Sequence, residues 1–284
     1  MLLAHLSDLH LRDADDVIKL QRQLDRIVLR EPVHLAITGD LLDRWRPSLL
    51  DRALHALEVR GFLESGKVTI LHGNHDLASS GGHPRRRSDL WRLVLRFWDP
   101  PPVVAWRRRR FYARLASHDP GIAGEAPILK HLDAGLRIAV IDTVPVPWKP
   151  VAFARGSIAL QHAIGSVDAA QAEWLAQQRG ADPLVLLIHH YPLDVPVLQW
   201  QSPRWRIDVP MAIAADDRTA LWSAAEKAGA VLVLCGHVHR TRLEHRGSIA
   251  VGLNGQSGAD WAGRTIAYYR VEGGTVTMET ERGT

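Results

Sequence analysis

Five short apolar runs in this chain each end in a cluster of carboxylates, amides or imidazoles, and that repeated grammar limits the folds open to it. Leu2–Leu6 runs into "SDLH", Val33–Ile37 into "TGDLLD", Val68–Leu71 into "HGNHD", Leu184–Ile188 into "HHYP", and Val231–Leu234 into "CGHVH". Short apolar runs bounded by turn residues read as buried strands. Helical patterns lie between several of them. Asp15–Arg30 carries Val17, Leu20, Leu24 and Ile27 at helical spacing, Ser48 is placed to cap a second helix ending at Gly61, and further helices are expected over Asp168–Arg179 and Thr219–Ala228. Strands alternating with helices predict an α/β core. In such a sheet, ligands bind in the crevice beyond the carboxyl ends of the strands, so the five clusters should meet in space.

Leu136–Ile141 supplies a further strand, while Ser248–Val251, Thr265–Val271 and Thr275–Glu281 read as antiparallel strands, the last two joined through Gly273 and Gly274. The expectation is one domain over residues 1–284, with an antiparallel β segment from about residue 241 onward. Asp76–Phe111 and Tyr191–Asp217 show no clear periodicity. Long segments of that kind in compact domains usually serve function.

A chain of 284 residues that is 46% apolar can bury a sizeable core. Its single cysteine, Cys235, excludes an internal disulfide and a cysteine-rich zinc site, and reads as a small buried hydrophobe. No apolar run approaches the length of a membrane span, and the opening "MLLAHLSDLH" meets a charge too early for a signal peptide, so a cytoplasmic protein is expected. The net charge of +4 owes its excess to Arg85–Arg87 and Arg107–Arg110. These runs read as solvated loops, with a surface for phosphorylated substrate or nucleic acid as the alternative.

Carboxylate oxygen, imidazole nitrogen and amide oxygen together suit borderline to hard divalent ions such as Mn²⁺, Fe²⁺, Zn²⁺ or Co²⁺. The alternation in "GHVH" places both imidazoles on one face of an extended segment. Asp8, His10, Asp40, Asn74, one of the pair His189 and His190, His237 and His239 make seven donor groups. That is too many for one ion. With one bridging carboxylate they would serve two, leaving room for water and substrate.

As an ordered set, "DLH", "GDLLD", "GNHD", "HHYP" and "GHVH" resemble the blocks of the calcineurin-like metallophosphoesterase superfamily, over roughly Leu2–His239. "GSIALQHAIGSVDAAQAEWLAQQ" is more weakly similar to the class III cyclic-nucleotide phosphodiesterase branch. The resemblance implies a four-layer αββα sandwich, two mostly mixed β-sheets flanked by helices, with a two-metal centre at one edge. Asp8, His10, Asp40 and His239 would hold one ion, and Asp40 would bridge to a second held by Asn74, His237 and the histidine of "HHYP". In the family that histidine commonly precedes a proline by two residues, which selects His190, with His189 as the alternative.

The implied activity is hydrolysis of a phosphodiester, in preference to a phosphomonoester, by direct attack of metal hydroxide without a covalent intermediate. His75, beside Asn74 but outside the ligand set, would protonate the leaving oxygen, and Asp76 would orient its imidazole. Asn74, Arg12 and Arg44 are the candidates for contact with substrate, expected to be a phosphorylated small molecule such as a nucleotide. Trp91, Trp98, Trp106, Trp200 and Trp205 would stack on a base or close a core. The rivals are a nuclease or DNA-repair exonuclease of the same superfamily, hinted at by the arginine runs, and a non-catalytic scaffold, opposed by the intact donor set.

Overall fold

The computed structural model describes residues 1–63, 66–79, 99–118, 125–144, 164–194, 198–202, 205–209, 212–255 and 265–282, with the backbone alone described over 198–202 and 205–209. Arg85–Arg87, Trp91 and Trp98 lie outside these residues.

The first sheet joins β1 (Leu2–Leu6), β2 (His34–Thr38) and β3 (Val68–Leu71) in parallel, with β12 (Thr265–Glu272) and β13 (Thr275–Arg282) added antiparallel beyond β1, in the order β13-β12-β1-β2-β3. The second sheet runs β10 (Arg242–Arg246), β11 (Ile249–Leu253), β9 (Ala230–Cys235), β6 (Leu184–Leu187), β5 (Leu136–Val140), β4 (Ile128–Leu132), with its four central strands parallel. A separate hairpin, β7 (Leu198–Ser202) and β8 (Trp205–Val209), carries Trp200 and Trp205.

Alternation along the strands makes the layers. Leu3, Ala36, Ala267 and Tyr269 point from the first sheet into a shared core with Leu136, Ile138, Val185, Leu187, Leu232 and Leu234 of the second. Their neighbours Ala4, Leu6, Leu35 and Ile37 face the opposite way, against α1 (Ala14–Arg30), α2 (Pro47–Glu58) and, beyond the single turn α3 (Asn74–Leu77), α4 (Pro101–His118). On the far side, Leu184, Leu186 and Val233 pack against α5 (Ala169–Ala176) and α6 (Ala215–Ala228). The result is the expected four-layer sandwich. Leu54 of α2 is fully buried in the first outer core, where truncation to Ala would cost about 2–5 kcal/mol.

The expected strands and helices are present, with shifted boundaries. α1 buries Val17, Leu20, Leu24 and Ile27 and starts where Asp13 accepts the N–H of Asp16 at 3.1 Å. α2 starts earlier than the Ser48 cap predicts, at Pro47, because proline fixes a helical φ where an N–H has no helical partner to lose. The C-terminal residues do not form one antiparallel segment. β11 enters the second sheet parallel to β9, while β12 and β13 extend the first, so this stretch completes both sheets. Cys235, at the end of β9, is buried as expected.

The run Arg107–Arg110 is the largest departure. Expected as a solvated loop, it lies on α4, where Arg107 pairs with Asp99 at 3.0 Å and Arg108 with the buried Asp142 at 2.7 Å. Two of its four charges thus serve the fold. Among the described residues, no helix is long and apolar enough to cross a membrane.

Candidate metal centre

The polar clusters meet at the carboxyl edge shared by the two sheets. β1 and β2 are parallel neighbours, and their pairing continues into the loops: Asp8 N–H donates to the Gly39 carbonyl at 3.1 Å and His10 N–H to that of Asp40 at 2.9 Å. From the second sheet, Gly236 N–H donates to the His189 carbonyl at 3.0 Å, and His237 N–H reaches across to Asp8 Oδ2 at 2.9 Å. Backbone strain marks the same residues. Asp8, His10, Asp40, His237 and His239 all have φ between 44° and 71°, and Glu31, which ends α1, is the only other described non-glycine residue with positive φ. Left-handed backbone costs a side-chain-bearing residue about 1–2 kcal/mol, so five such residues together signal a site whose geometry overrides local preference.

Two groups of donor atoms result. In one, His239 Nε2 lies 3.2 Å from Asp8 Oδ1 and 3.1 Å from His10 Nε2, and His10 Nε2 is 3.8 Å from both Asp8 Oδ1 and Asp40 Oδ2. In the other, His189 Nε2 lies 3.5 Å from Asp40 Oδ2, 2.9 Å from Asn74 Oδ1 and 3.2 Å from His237 Nδ1. Asp40 Oδ2 belongs to both groups.

The protonation pattern shows what this arrangement is built to hold. Burial lowers the pKa of His189, so the ring is neutral. Its Nδ1 stands 2.8 Å from the Thr38 carbonyl, which can only accept, and therefore carries the ring proton. That leaves a lone pair on Nε2, which points among Asn74 Oδ1, Asp40 Oδ2 and His237 Nδ1. Burial raises the pKa of Asp40 well above the ordinary carboxylate range, and the adjacent charges of Asp8 and Asp76 raise it further. For Asp8, burial acts in the same direction, but His239, His189 and His10 outweigh it and hold the carboxyl below that range. Lone pairs and carboxylates converging in a buried place fit divalent cations. Asp8, His10 and His239, and likewise Asp8, Asp40 and His189, bring ligand atoms within 4.8 Å of one another.

Glycines make the close approach possible. A Cβ on Gly73 would lie 2.2 Å from Asp40 Oδ1, one on Gly39 would lie 2.5 Å from His189 Nδ1, and one on Gly236 would lie 2.4 Å from Asp8 Oδ2.

Of the two histidines in "HHYP", His189 is the one at Asp40 and Asn74. His190 Nδ1 lies 2.9 Å from Thr143 Oγ1, and its ring lies tilted against that of His237 with centroids 4.4 Å apart. Its ligand atom still falls within 4.8 Å of those of His189 and His237. Proline spacing in the sequence selects His190, whereas the ring beside Asp40 and Asn74 is that of His189.

His75 stands at the edge of the first group, edge-on to His10 at 4.7 Å and with Nε2 4.0 Å from Asp40 Oδ2. Its side chain is 15% exposed, against 1% for Asp40. The expected role of Asp76 as its orienter is corrected by the structure. Asp76 is buried and accepts the backbone N–H groups of Gly73 at 2.8 Å, Leu42 at 2.7 Å and Leu41 at 3.3 Å. It thus ties the loop after β3 to the loop after β2, and burial pushes its pKa up to about 6 against those hydrogen bonds. The carbonyl of Asp43, 3.2 Å from Nδ1, orients His75 instead.

Arg12 lies at the start of α1, where its Nε and backbone N–H are both 3.1 Å from Asp16 Oδ2. Arg44 is partly buried in the loop that carries Asp43.

A sixth cluster went unread in the sequence. After Ile138–Ile141 come Asp142 and Thr143, and both reach the site's surroundings: Thr143 Oγ1 accepts the His190 N–H at 3.0 Å, and Asp142 Oδ2 lies 3.3 Å from His72 Nε2. The signal was available, since "IDT" ends an apolar run as the other five clusters do. Asn254, after β11, was also missed. It donates to the carbonyls of His5 at 2.7 Å and Thr265 at 3.1 Å, tying the second sheet to the first beside the centre.

Comparison with known proteins agrees with this architecture. The fold resembles a dimetal phosphatase from Danio rerio with a TM-score of 0.60 at 13% identity, covering 99% of this chain and 96% of that one. It also resembles TT1561 of Thermus thermophilus with a TM-score of 0.56 at 12% identity, covering 99% and 98%. No curated protein sequence matches the chain significantly. The sequence does match the calcineurin-like phosphoesterase family over residues 1–241, and the chain belongs to that family of phosphoester hydrolases.

Proposed function

We propose that this protein is a single-domain, two-metal phosphoesterase that prefers phosphodiesters. Asp8, His10, Asp40 and His239 hold one ion, and Asp40, Asn74, His189 and His237 hold the other. The observation that carries this reading is the convergence on one buried point of His189 Nε2, Asn74 Oδ1, Asp40 Oδ2 and His237 Nδ1, while His189 Nδ1 is taken up by the Thr38 carbonyl, a donor set that a cation would fit. Two bound divalent ions supply Lewis acidity toward the phosphoryl oxygens and activate water for attack. Mn²⁺, Fe²⁺, Zn²⁺ and Co²⁺ all suit the donor set.

The side chains have separate tasks. His75 donates a proton to the leaving oxygen. Its Nδ1–H is held by the Asp43 carbonyl, its Nε2 is directed toward the centre, and its partial exposure leaves a route for reprotonation. Asn74 contacts substrate as well as metal, and Arg44, in the loop that holds His75, contacts a phosphate oxygen. β12 and β13 belong to the same sheet as β1, which supports reading residues 1–284 as one domain.

A nuclease reading draws little from the described arginines, because Arg107 and Arg108 are paired within the fold. A scaffold reading would leave the strained donor residues without a purpose. The test is turnover of bis-p-nitrophenyl phosphate, p-nitrophenyl phosphate, cyclic nucleotides and single-stranded DNA by protein stripped of metal and then supplied with Mn²⁺. The diester reading requires Mn²⁺-restored activity that is highest on the diesters.

A further inference from the structure

The 72–79 turn is joined to the loop after β2 by the Trp45 N–H, which donates to the Ala78 carbonyl at 2.9 Å, but it ends an edge strand. β3 is the last strand of its sheet and has no outer neighbour among the described residues. Side chains support that side instead. His72, fully buried at the start of the turn, is enclosed by α4, with Phe111 at 6.0 Å and Tyr112 at 5.4 Å. Its Nε2 meets Asp142 Oδ2 at 3.3 Å, and Arg108 of the same helix meets that same oxygen at 2.7 Å. Neither contact has hydrogen-bond alignment. At the other end of the turn, Arg107 donates to the Leu77 carbonyl at 2.7 Å and Ser79 N–H donates to Asp99 at 2.8 Å.

Asp142 is itself a fixed post. Its N–H donates to Gln171 Oε1 at 2.9 Å, its carbonyl accepts from Gln171 Nε2 at 3.1 Å, and its Oδ1 accepts the Val144 N–H at 2.8 Å. It stands at the end of β5, in the second sheet, while the turn it supports leaves the first. We propose that Asp142, charge-paired with Arg108, is a positioning residue that sets the 72–77 turn and thereby holds Asn74 at the second metal site. This rests on the reading of Asn74 as a metal ligand. Fixing a ligand's surroundings in this way is commonly worth about 10- to 100-fold in metal affinity.

The test measures Mn²⁺ binding by titration, alongside kcat and KM, for Asp142→Asn, Arg108→Gln and the double variant, which leaves neither charge unpaired. Circular dichroism reports folding. The single variants should weaken one of the two Mn²⁺ sites about 10- to 100-fold and leave the other unchanged, with kcat restored by excess Mn²⁺ and KM little altered. The double variant should be no worse than Asp142→Asn alone. Arg114→Gln, which breaks the exposed pair with Asp51 on the same helix, should change nothing.

Wild-type affinity at both sites in the folded variants would overturn the proposal. So would failure of all three variants to fold, which would make the pair a folding element. Asn74→Ala separates the two claims. If it keeps both ions at wild-type affinity, the reading of Asn74 as a ligand fails, whereas if it loses one while Asp142→Asn and Arg108→Gln lose none, only the positioning role fails.

Discussion

His189 Nε2 and Asn74 Oδ1 lie 2.9 Å apart in a buried place, while the other ring nitrogen of His189 stands 2.8 Å from the Thr38 carbonyl, which can only accept its proton. Neutral lone pairs do not gather in a buried place for their own sake. In the proposed two-metal centre this pair forms one wall of the second site, which makes His189 the histidine of "HHYP" assigned to it.

Replacing His189 with Ala should remove one ion and cut turnover on every substrate by a similar large factor. His190→Ala should keep both ions, since its Nδ1 is engaged by Thr143, and its cost should appear mainly as reduced stability. Elemental analysis of the two variants checks the assignment. Metal loss in His190→Ala alone would reverse it.

Acid catalysis by His75 predicts a loss that depends on the leaving group. His75→Ala should keep both metals, turn over p-nitrophenyl esters nearly as well as wild type, and lose about 10²–10⁴ in kcat on alkyl or nucleoside esters, whose leaving oxygens need a proton. Equal losses on all esters, together with a missing ion, would make His75 a ligand.

Gly73→Ala should abolish metal binding while leaving the sheets intact. The added Cβ would fall 2.2 Å from Asp40 Oδ1 and 2.5 Å from the Asp40 nitrogen, and backbone cannot move aside as a flexible side chain can. Normal Mn²⁺ affinity in this variant would show that the turn is looser than the structure has it.

How much of this could be read from sequence depended on whether local chemistry had one solution. The strand-end clusters were legible because Asp, Asn and His gathered after apolar runs seldom serve packing, and the four layers followed from alternation such as Leu3 against Ala4. What escaped depended on distant partners. His189 and His190 are adjacent, so only Thr38 and Thr143, far away in the chain, decide which one turns inward. Asp76 looked like a partner for its neighbour His75, yet its oxygens are taken by amides of Gly73, Leu41 and Leu42. The arginine run looked solvated because nothing near it in sequence reveals Asp142.

Acid should weaken the fold through buried histidines away from the proposed chemistry. Burial holds both His5 and His34 neutral, with pKa values lowered to about 3 from 6.5. A depressed folded-state pKa means the unfolded chain binds more protons, so stability is intact above pH 6.5 and is lost as the pH falls toward 3. At about pH 5 each histidine should have cost about 2 kcal/mol relative to about pH 7.5. Urea unfolding at the two pH values measures this, and His34→Gln, which keeps a donor for Thr69, should reduce the difference by one histidine's share. An unchanged difference would show that His34 is already protonated in the fold.

The most direct test of the two-metal centre is anomalous diffraction from crystals soaked in Mn²⁺. Two peaks about 3.5–4 Å apart are expected, one ringed by Asp8, His10, Asp40 and His239 and the other by Asp40, Asn74, His189 and His237, with Asp40 shared. A single peak, or two peaks that do not share Asp40, would contradict the account.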